Sequence, residues 1–130
     1  MRYLLMIYGP DWEPTQSTPE EQAASMQEWG DYTADLLKRG VMEAGEALEA
    51  VGTATTVRLN GTEVITTDGP FAETAEVLGG YSVLKVKDLD EAIGIAAACP
   101  GIKYGSIELR PIAELGEEYQ KSIAERAGIA

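Results

Sequence analysis

The strongest local signal in this chain is a pair of β-rich runs joined by Asn60-Gly61. Residues 53–59 (TATTVRL) and 62–67 (TEVITT) are rich in threonine and valine, and Asn-Gly suits the positive φ angles of a two-residue hairpin turn. The second run leads directly into Asp68-Gly69-Pro70-Phe71, whose glycine and proline predict a rigid corner. The stretch therefore predicts a β-hairpin that brings one carboxylate to the end of a strand.

A long helix is predicted before this hairpin. It begins at Thr18-Pro19-Glu20-Glu21, because threonine suits the cap and proline the first helical position. It runs to about Arg39 and is followed by Gly40, a natural residue to end a helix. Gly30 lies inside it, and a close contact with another backbone would explain that glycine. Its apolar stripe is predicted to comprise Ala23, Met26, Trp29, Thr33, Leu36 and Leu37.

The remaining elements are shorter. Residues 2–8 (RYLLMIY) are almost continuously apolar, which predicts a central strand covered on both faces. Asp88 is the predicted cap of a helix over Leu89 to Ala98, with Ile93 and Ala97 on its apolar face. Three further strands are predicted over Val41 to Leu48, Tyr81 to Val86 and Ser106 to Ile112. Gly45 in the first indicates a bulge or a close approach, and Pro111 near the end of the last favours an edge or terminal position.

The order of these elements predicts the fold. Without the hairpin, the order is β-α-β-β-α-β, the ferredoxin-like pattern. A chain of 130 residues is long enough for one such domain to bury a core. We therefore predict a single α+β domain over residues 1–113, with an inserted β-hairpin, followed by a C-terminal helical tail over residues 114–130.

Composition narrows the classes of partner and chemistry. The formal net charge of −12 argues against nucleic acid and against an anionic membrane surface. No apolar run approaches the length of a membrane span, and a cytoplasmic protein is expected. The single cysteine, Cys99, is interpreted as a small buried thiol rather than a nucleophile. Because histidine is absent, histidine-dependent triads, bases and metal ligands are excluded. Without a phosphate-binding glycine motif or a Cys/His cluster, neither a cofactor nor a metal is expected.

Asp68 is the candidate catalytic residue. As a carboxylate at a strand end, it would act as a general base if partial burial raised its pKa. The alternative is structural, since an aspartate before Gly69-Pro70 can accept backbone N–H groups and organise the turn. The two roles are compatible.

Glu108 and Arg110 are candidate ligand-binding residues. They lie two apart on the last predicted strand and therefore share a face. Arg110 would anchor a small organic acid through its guanidinium group. The alternative is a cross-strand ion pair on a solvated or dimer-facing surface.

Three further residues complete the candidate site. Glu46 is flanked by small residues and would face the same cleft. Tyr8 and Tyr81 lie on strands predicted to be neighbours and would line a pocket wall, with core or interface packing as the alternative. Trp29 is interpreted as a core residue, and Trp12 as a lid or a dimer contact.

Seven stretches, in order and at the expected spacing, resemble the YCII-related family and specifically its DGPF subgroup. They are residues 1–9 (MRYLLMIYG), 45–48 (GEAL), 53–58 (TATTVR), 67–74 (TDGPFAET), 78–81 (LGGY), 88–92 (DLDEA) and 105–111 (GSIELRP). The resemblance implies a dimeric α+β barrel, a homodimer or higher homo-oligomer, and an association with extracytoplasmic-function sigma factors. In the broader family a His–Asp pair has been proposed as catalytic, and some relatives are lyase-like enzymes acting on small ring-derived acids.

This chain departs from the family pattern at informative places. It has no histidine, Ala75 replaces a common lysine, and Tyr104 stands where some members have histidine. Two functional hypotheses follow. The first is a dimeric small-ligand-binding or regulatory module, linked to a sigma factor. The second is a lyase or isomerase that uses Asp68 as base and Arg110 as carboxylate anchor.

Overall fold

The structure is a computed structural model that describes residues 1–11 and 17–129. Trp12, predicted as a lid or a dimer contact, lies outside the described residues. The strands are β1 (Arg2–Gly9), β2 (Met42–Ala47), β3 (Thr55–Asn60), β4 (Glu63–Asp68), β5 (Val77–Lys85) and β6 (Ser106–Pro111). The helices are α1 (Pro19–Lys38), α2 (Leu89–Ala98) and α3 (Glu117–Ala127). Short 3-10 turns cover Val51–Thr53 and Pro100–Lys103.

Four strands form the main sheet, in the order β2-β5-β1-β6, with every neighbouring pair antiparallel. Helix α1 follows β1 and helix α2 follows β5, and both helices contribute to the same core on one side of the sheet, which is the ferredoxin-like arrangement predicted from the element order. As expected, β1 is central, and Pro111 ends an edge strand. The α+β prediction is confirmed.

The predicted hairpin is present but is not part of this sheet. Strands β3 and β4 pair only with each other, as a two-stranded sheet inserted between β2 and β5. Gly61 in its turn has a φ of +65°, which explains the Asn-Gly sequence. Nearly every residue of the two strands is exposed, so the hairpin stands outside the core.

Helices α1 and α2 cover one face of the main sheet. Leu36 of α1 and Ile95 of α2 are almost completely buried, and they pack with Tyr3, Leu5 and Leu84 from the sheet. Capping residues begin both helices as predicted. Thr18 accepts a hydrogen bond from the Glu21 amide at 3.1 Å, and Asp88 accepts one from the Glu91 amide at 2.9 Å.

The predicted helix faces were partly wrong. In α1, Leu36 is buried as predicted, but Met26 and Leu37 are exposed. In α2, Ile93 and Ala97 are exposed, whereas Ala92, Ile95 and Ala96 are buried. Periodicity shows that a helix has an apolar side, but α2 is apolar almost all round. Its orientation is therefore decided by the sheet that it contacts, not by its own pattern.

Two glycine predictions had opposite outcomes. Gly45 does make a close approach, because a side chain there would meet the Ser82 hydroxyl and the Tyr81 carbonyl at 3.1 Å. Of the two alternatives predicted at Gly45, the close approach is therefore the one observed, and the register of β2 shifts just before it, between Met42 and Ala44. Gly30, in contrast, has no neighbour within 4 Å among the described residues, so no backbone contact explains it.

The tail is helical, as predicted, and begins after Gly116, which has a φ of +86°. None of the residues of α3 is fully buried. Among residues 1–11 and 17–129, no helix is both long and apolar enough to cross a membrane.

Candidate functional site

The face of the main sheet opposite the helices holds most of the predicted site. Because side chains alternate along a strand, Tyr3 and Leu5 of β1 point to the helices, whereas Leu4, Met6 and Tyr8 point away from them. The contact between the Tyr8 hydroxyl and the Met6 sulfur, at 3.8 Å, places these two side chains on the same side. We call this side of the four-stranded sheet the open face.

Strand register aligns several predicted residues across the open face. Glu46 pairs with Tyr81, Tyr81 with Met6, and Met6 with Glu108, which gives one row across all four strands. Directly opposed residues project from the same side of a sheet. The structure therefore places Glu46, Tyr81 and Glu108 in one row, although Glu46 and Glu108 are 62 residues apart in sequence.

Arg110 lies one row away, paired with Leu4 of β1. Its guanidinium group forms an ion pair with Glu108, two residues earlier on the same strand, rather than across strands as the alternative interpretation supposed. Both side chains are exposed, at 69% and 41%, so solvent weakens this pair. An arginine has five N–H donors, and one contact to Glu108 leaves others for a bound anion.

Sequence reasoning missed other residues of the open face. Arg2 pairs with Lys85 in the register of β1 with β5, and Leu4 pairs with Val83. Arg2 also forms an ion pair with Glu43 at 2.9 Å. One end of the open face thus carries three cations: Arg2, Lys85 and Arg110. Alternation from Leu4 would have placed Arg2 on this face, but only the register of β5 brings Lys85 beside it.

Two cavities border the site. The first, which we call the edge groove, has a volume of about 660 Å³ and is lined by Tyr8, Ser106, Glu108 and the segment 74–76. The second, which we call the apolar cleft, has a volume of about 430 Å³ and lies at the base of the hairpin. Its lining includes Leu48, Val51, Pro70, Phe71 and Leu78.

Asp68 is apart from this group. It is exposed at the end of β4, where it pairs with Thr55, and it lines neither of the two cavities. Within the described part of the chain, no N–H group donates to its carboxylate, so the predicted capping of the turn by Asp68 is not observed. The turn is instead held by hydrogen bonds from a backbone amide and a threonine hydroxyl. The Gly69 amide donates to the Ala54 carbonyl at 2.7 Å, and the Thr56 hydroxyl donates to the Gly69 carbonyl at 2.8 Å.

Gly69 itself behaves as predicted. Its φ of +95° is one that residues with a side chain rarely adopt, so glycine is needed to turn the chain here. The corner is thus organised by Gly69 and Thr56, and the Asp68 carboxylate accepts no hydrogen bond from residues 1–11 and 17–129.

Cys99 is buried, which confirms its interpretation as a structural thiol. Burial raises the pKa of Cys99, so the nucleophilic thiolate is disfavoured. The neighbouring Tyr32 donates to the Ile95 carbonyl at 2.9 Å, and burial raises its pKa as well. Among the residues that the structure describes, no three cysteine or carboxylate side chains converge to hold a metal ion.

Three comparisons place the chain among known proteins. A model of the YCII-related domain matches residues 1–116. An uncharacterised protein of Rhizobium meliloti (strain 1021) is 30% identical over 115 residues, which is 87% of this chain and 93% of that protein. A solved structure of a 5-chloro-2-hydroxyhydroquinone dehydrochlorinase from Burkholderia phenoliruptrix AC1100, in complex with 2,5-dihydroxybenzoquinone, is 13% identical. It aligns with a TM-score of 0.45 over 91% of this chain and 98% of its own. The match of the domain model across most of the chain shows that this protein belongs to the YCII-related domain family.

Proposed function

We propose that this protein is a binding module for small organic acids and that its site is the open face of the four-stranded sheet. The observation that carries the proposal is the strand register, which sets charged groups beside an apolar strip. Arg110 and Lys85 would receive a carboxylate, while Leu4, Met6 and Val83 would contact the body of the ligand. Small-molecule sites combine apolar walls with a few placed polar groups in this way.

The negative charge of the whole chain sets the three cations of the open face apart from the rest of the surface. A net charge of −12 repels anions in general, so a stretch with three cations is the place where an acid would be tolerated. Glu108 and Glu43 hold two of these cations by ion pairing. Lys85 has no ion pair among the described residues, so none of their carboxylates competes with a ligand for it.

A ligand on this face would need a cover, and we propose that a second copy of the chain supplies it. Met6 is 7% exposed, but Leu4, Tyr81 and Val83 are only half-buried in the single chain. Two open faces packed against each other would bury these side chains and would enclose the ligand as a dimeric barrel. This is the assembly that the family resemblance predicts.

The experiment is a thermal-shift screen with benzoate, salicylate and short aliphatic acids, each compared with its neutral amide. A ligand that binds only the native state raises the melting temperature. We expect acids, but not amides, to stabilise the wild type and to lose that effect with Arg110→Gln. Arg126→Gln is the matched control, because Arg126 is an exposed arginine on α3. An equal response of both variants, or of acids and amides, would contradict the proposal.

The finer predictions rest on the family resemblance alone. They are membership of the DGPF subgroup, a link to an extracytoplasmic-function sigma factor, and the alternative activity as a lyase or isomerase. The enzyme alternative gains no support from the fold, because Asp68 lies at the end of the separate hairpin sheet, whereas Arg110 lies on an edge strand of the main sheet. Proton NMR of an acid incubated with the wild type and with Asp68→Asn separates the two functions. An enzyme that uses Asp68 as base would convert the acid only with the wild type, whereas a binding module would leave it unchanged with both.

A further inference from the structure

The β3–β4 hairpin presents its apolar face away from its own chain. Register places Val57, Leu59 and Val64 on one side, with Thr66 opposite Val57 and the pair of Thr55 and Asp68 at the base. These three aliphatic side chains are 63%, 70% and 63% exposed. We call this side the apolar face of the hairpin. An antiparallel pair with one apolar face normally packs that face on the core of its own chain.

The opposite, polar face of the hairpin is the one held by the chain. Thr56 donates to the Gly69 carbonyl at 2.8 Å, and Arg58 donates to the Phe71 carbonyl at 3.1 Å. Both side chains come from the face opposite Val57, Leu59 and Val64. The corner after β4 therefore folds back on the polar face and fixes the direction of the hairpin. A two-stranded hairpin without a packed face is marginally stable in water.

The same chain carries a surface of matching chemistry. The apolar cleft beside the hairpin base is lined by Leu48, Val51, Pro70 and Leu78, together with Phe71, which is 79% exposed. The apolar face of the hairpin carries no charge from Val57 to Thr66, and Glu49 is the one charged residue in the lining of the cleft. In a chain with a net charge of −12, two surfaces with so few charges are where two identical copies approach with little repulsion.

We propose that the apolar face of the hairpin packs into the apolar cleft of a second copy of this chain. A two-fold dimer makes such a contact twice, once in each direction. Duplication matters because a single patch of three aliphatic side chains is below the ~800 Å² per partner of a standard interface. The cleft also includes Leu78, which pairs with Tyr8 beside the open face. The hairpin contact would thus lie next to the dimer surface of the proposed function, on which it rests.

Adjacent residues on β4 provide a matched test. Val64 belongs to the apolar face and Ile65 to the polar face, and both are exposed aliphatic residues. We expect Val64→Lys to weaken self-association at least tenfold, as measured by sedimentation velocity over a range of concentrations, and Ile65→Lys to leave it unchanged. Lysine makes either variant less negative, so added charge repulsion between the acidic copies cannot explain a loss.

Further variants separate this inference from the proposed function. Val51→Lys in the apolar cleft should weaken the dimer as Val64→Lys does, with far-UV circular dichroism confirming that each variant is folded. Met6→Lys on the open face tests the other surface. A dimer lost with Met6→Lys but unaffected by both Val64→Lys and Val51→Lys would overturn the hairpin contact and leave the open-face dimer standing. A wild type that is monomeric at all concentrations would overturn both.

Discussion

Glycines that look alike in the sequence have different roles at the scale of single residues. Gly105 comes just before β6, and a side chain there would overlap the Tyr8 carbonyl and meet the Gly9 Cα at 2.8 Å. Gly30 lies in the middle of α1 with open space around it. The first glycine is required by the close approach of two chain segments, and the second only lowers the stability of a helix.

We therefore expect opposite effects from the same substitution at these two positions. Gly30→Ala should raise the free energy of unfolding by about 0.5–1 kcal/mol, because glycine has the greater conformational freedom to lose. Gly105→Ala should lower it by about 1–3 kcal/mol, since overpacking forces the backbone to shift. Urea denaturation followed by circular dichroism measures both. Destabilisation by Gly30→Ala would mean that α1 has an unseen neighbour.

The buried Cys99 and the half-buried Tyr32 predict the response to alkaline pH. Burial raises the pKa of both groups above their ordinary values of 9.0 and 10.0. Well below pH 9.0 both are protonated in the folded and the unfolded chain, and they contribute no pH dependence. Above it the unfolded chain releases protons that the folded chain retains, so the free energy of unfolding falls as pH rises.

Denaturant titrations at pH 8 and pH 10.5 test this pair. Cys99→Ala removes one of the two groups, and its stability should decrease less between these pH values than that of the wild type. Tyr32→Phe should behave likewise, with a loss of about 1 kcal/mol at pH 8 because the hydrogen bond to Ile95 is absent. A steeper alkaline loss in Cys99→Ala than in the wild type would contradict the assignment.

At the scale of elements, the chain consists of a packed core of strands and helices and two peripheral elements, the β3–β4 hairpin and α3. The four-stranded sheet, α1 and α2 share the buried core. The hairpin is attached through its base, and α3 has only Ser122 and Ala124 partly buried. The last backbone contact of β6 with β1, from the Ile112 amide to the Arg2 carbonyl at 3.0 Å, comes before α3 begins. The core is therefore complete without the tail.

We expect a chain truncated after Ala113 to fold with nearly the stability of the full chain. Since α3 buries no residue fully, its removal should shift the melting temperature by only a few degrees, roughly the effect of 1 kcal/mol in a domain of this size. Thermal denaturation of both chains decides the matter. A fall of more than about 10 °C would show that the tail is an integral part of the domain.

At the scale of the whole molecule, the excess of acidic residues would oppose the proposed dimer through the open face and the hairpin. Two copies with a net charge of −12 repel each other at long range, whereas apolar contacts act only at short range. Salt screens the repulsion, with a Debye length of about 30 Å at 0.01 M and about 8 Å at 0.15 M. The balance between these effects is accessible to experiment.

Self-association should therefore strengthen with salt. We expect the dissociation constant of the dimer to fall severalfold between 10 mM and 150 mM NaCl, as measured by sedimentation velocity. An interface held mainly by ion pairs between copies would show the reverse dependence. Such a result would direct attention to the charged residues of the open face rather than to the aliphatic residues of the hairpin.

Local chemistry in the sequence determined the elements of this protein. Thr18 and Asp88 begin helices because their side chains accept N–H groups four or fewer residues away, and Asn60-Gly61 makes a turn because of its own φ preferences. Family motifs determined the relationship to YCII-related proteins. All of these features depend on neighbours in sequence, so they can be recognised without the fold.

Tertiary structure alone decided what those elements face. The buried side of α2 depends on the sheet beneath it, and the row from Glu46 to Glu108 depends on the register of four strands. Asp68 lies apart from Arg110 because the hairpin forms a sheet of its own, a choice that its strand pattern does not encode. Strand register and packing depend on contacts between residues that are distant in sequence. The pattern of one segment does not specify which distant residues its side chains will contact.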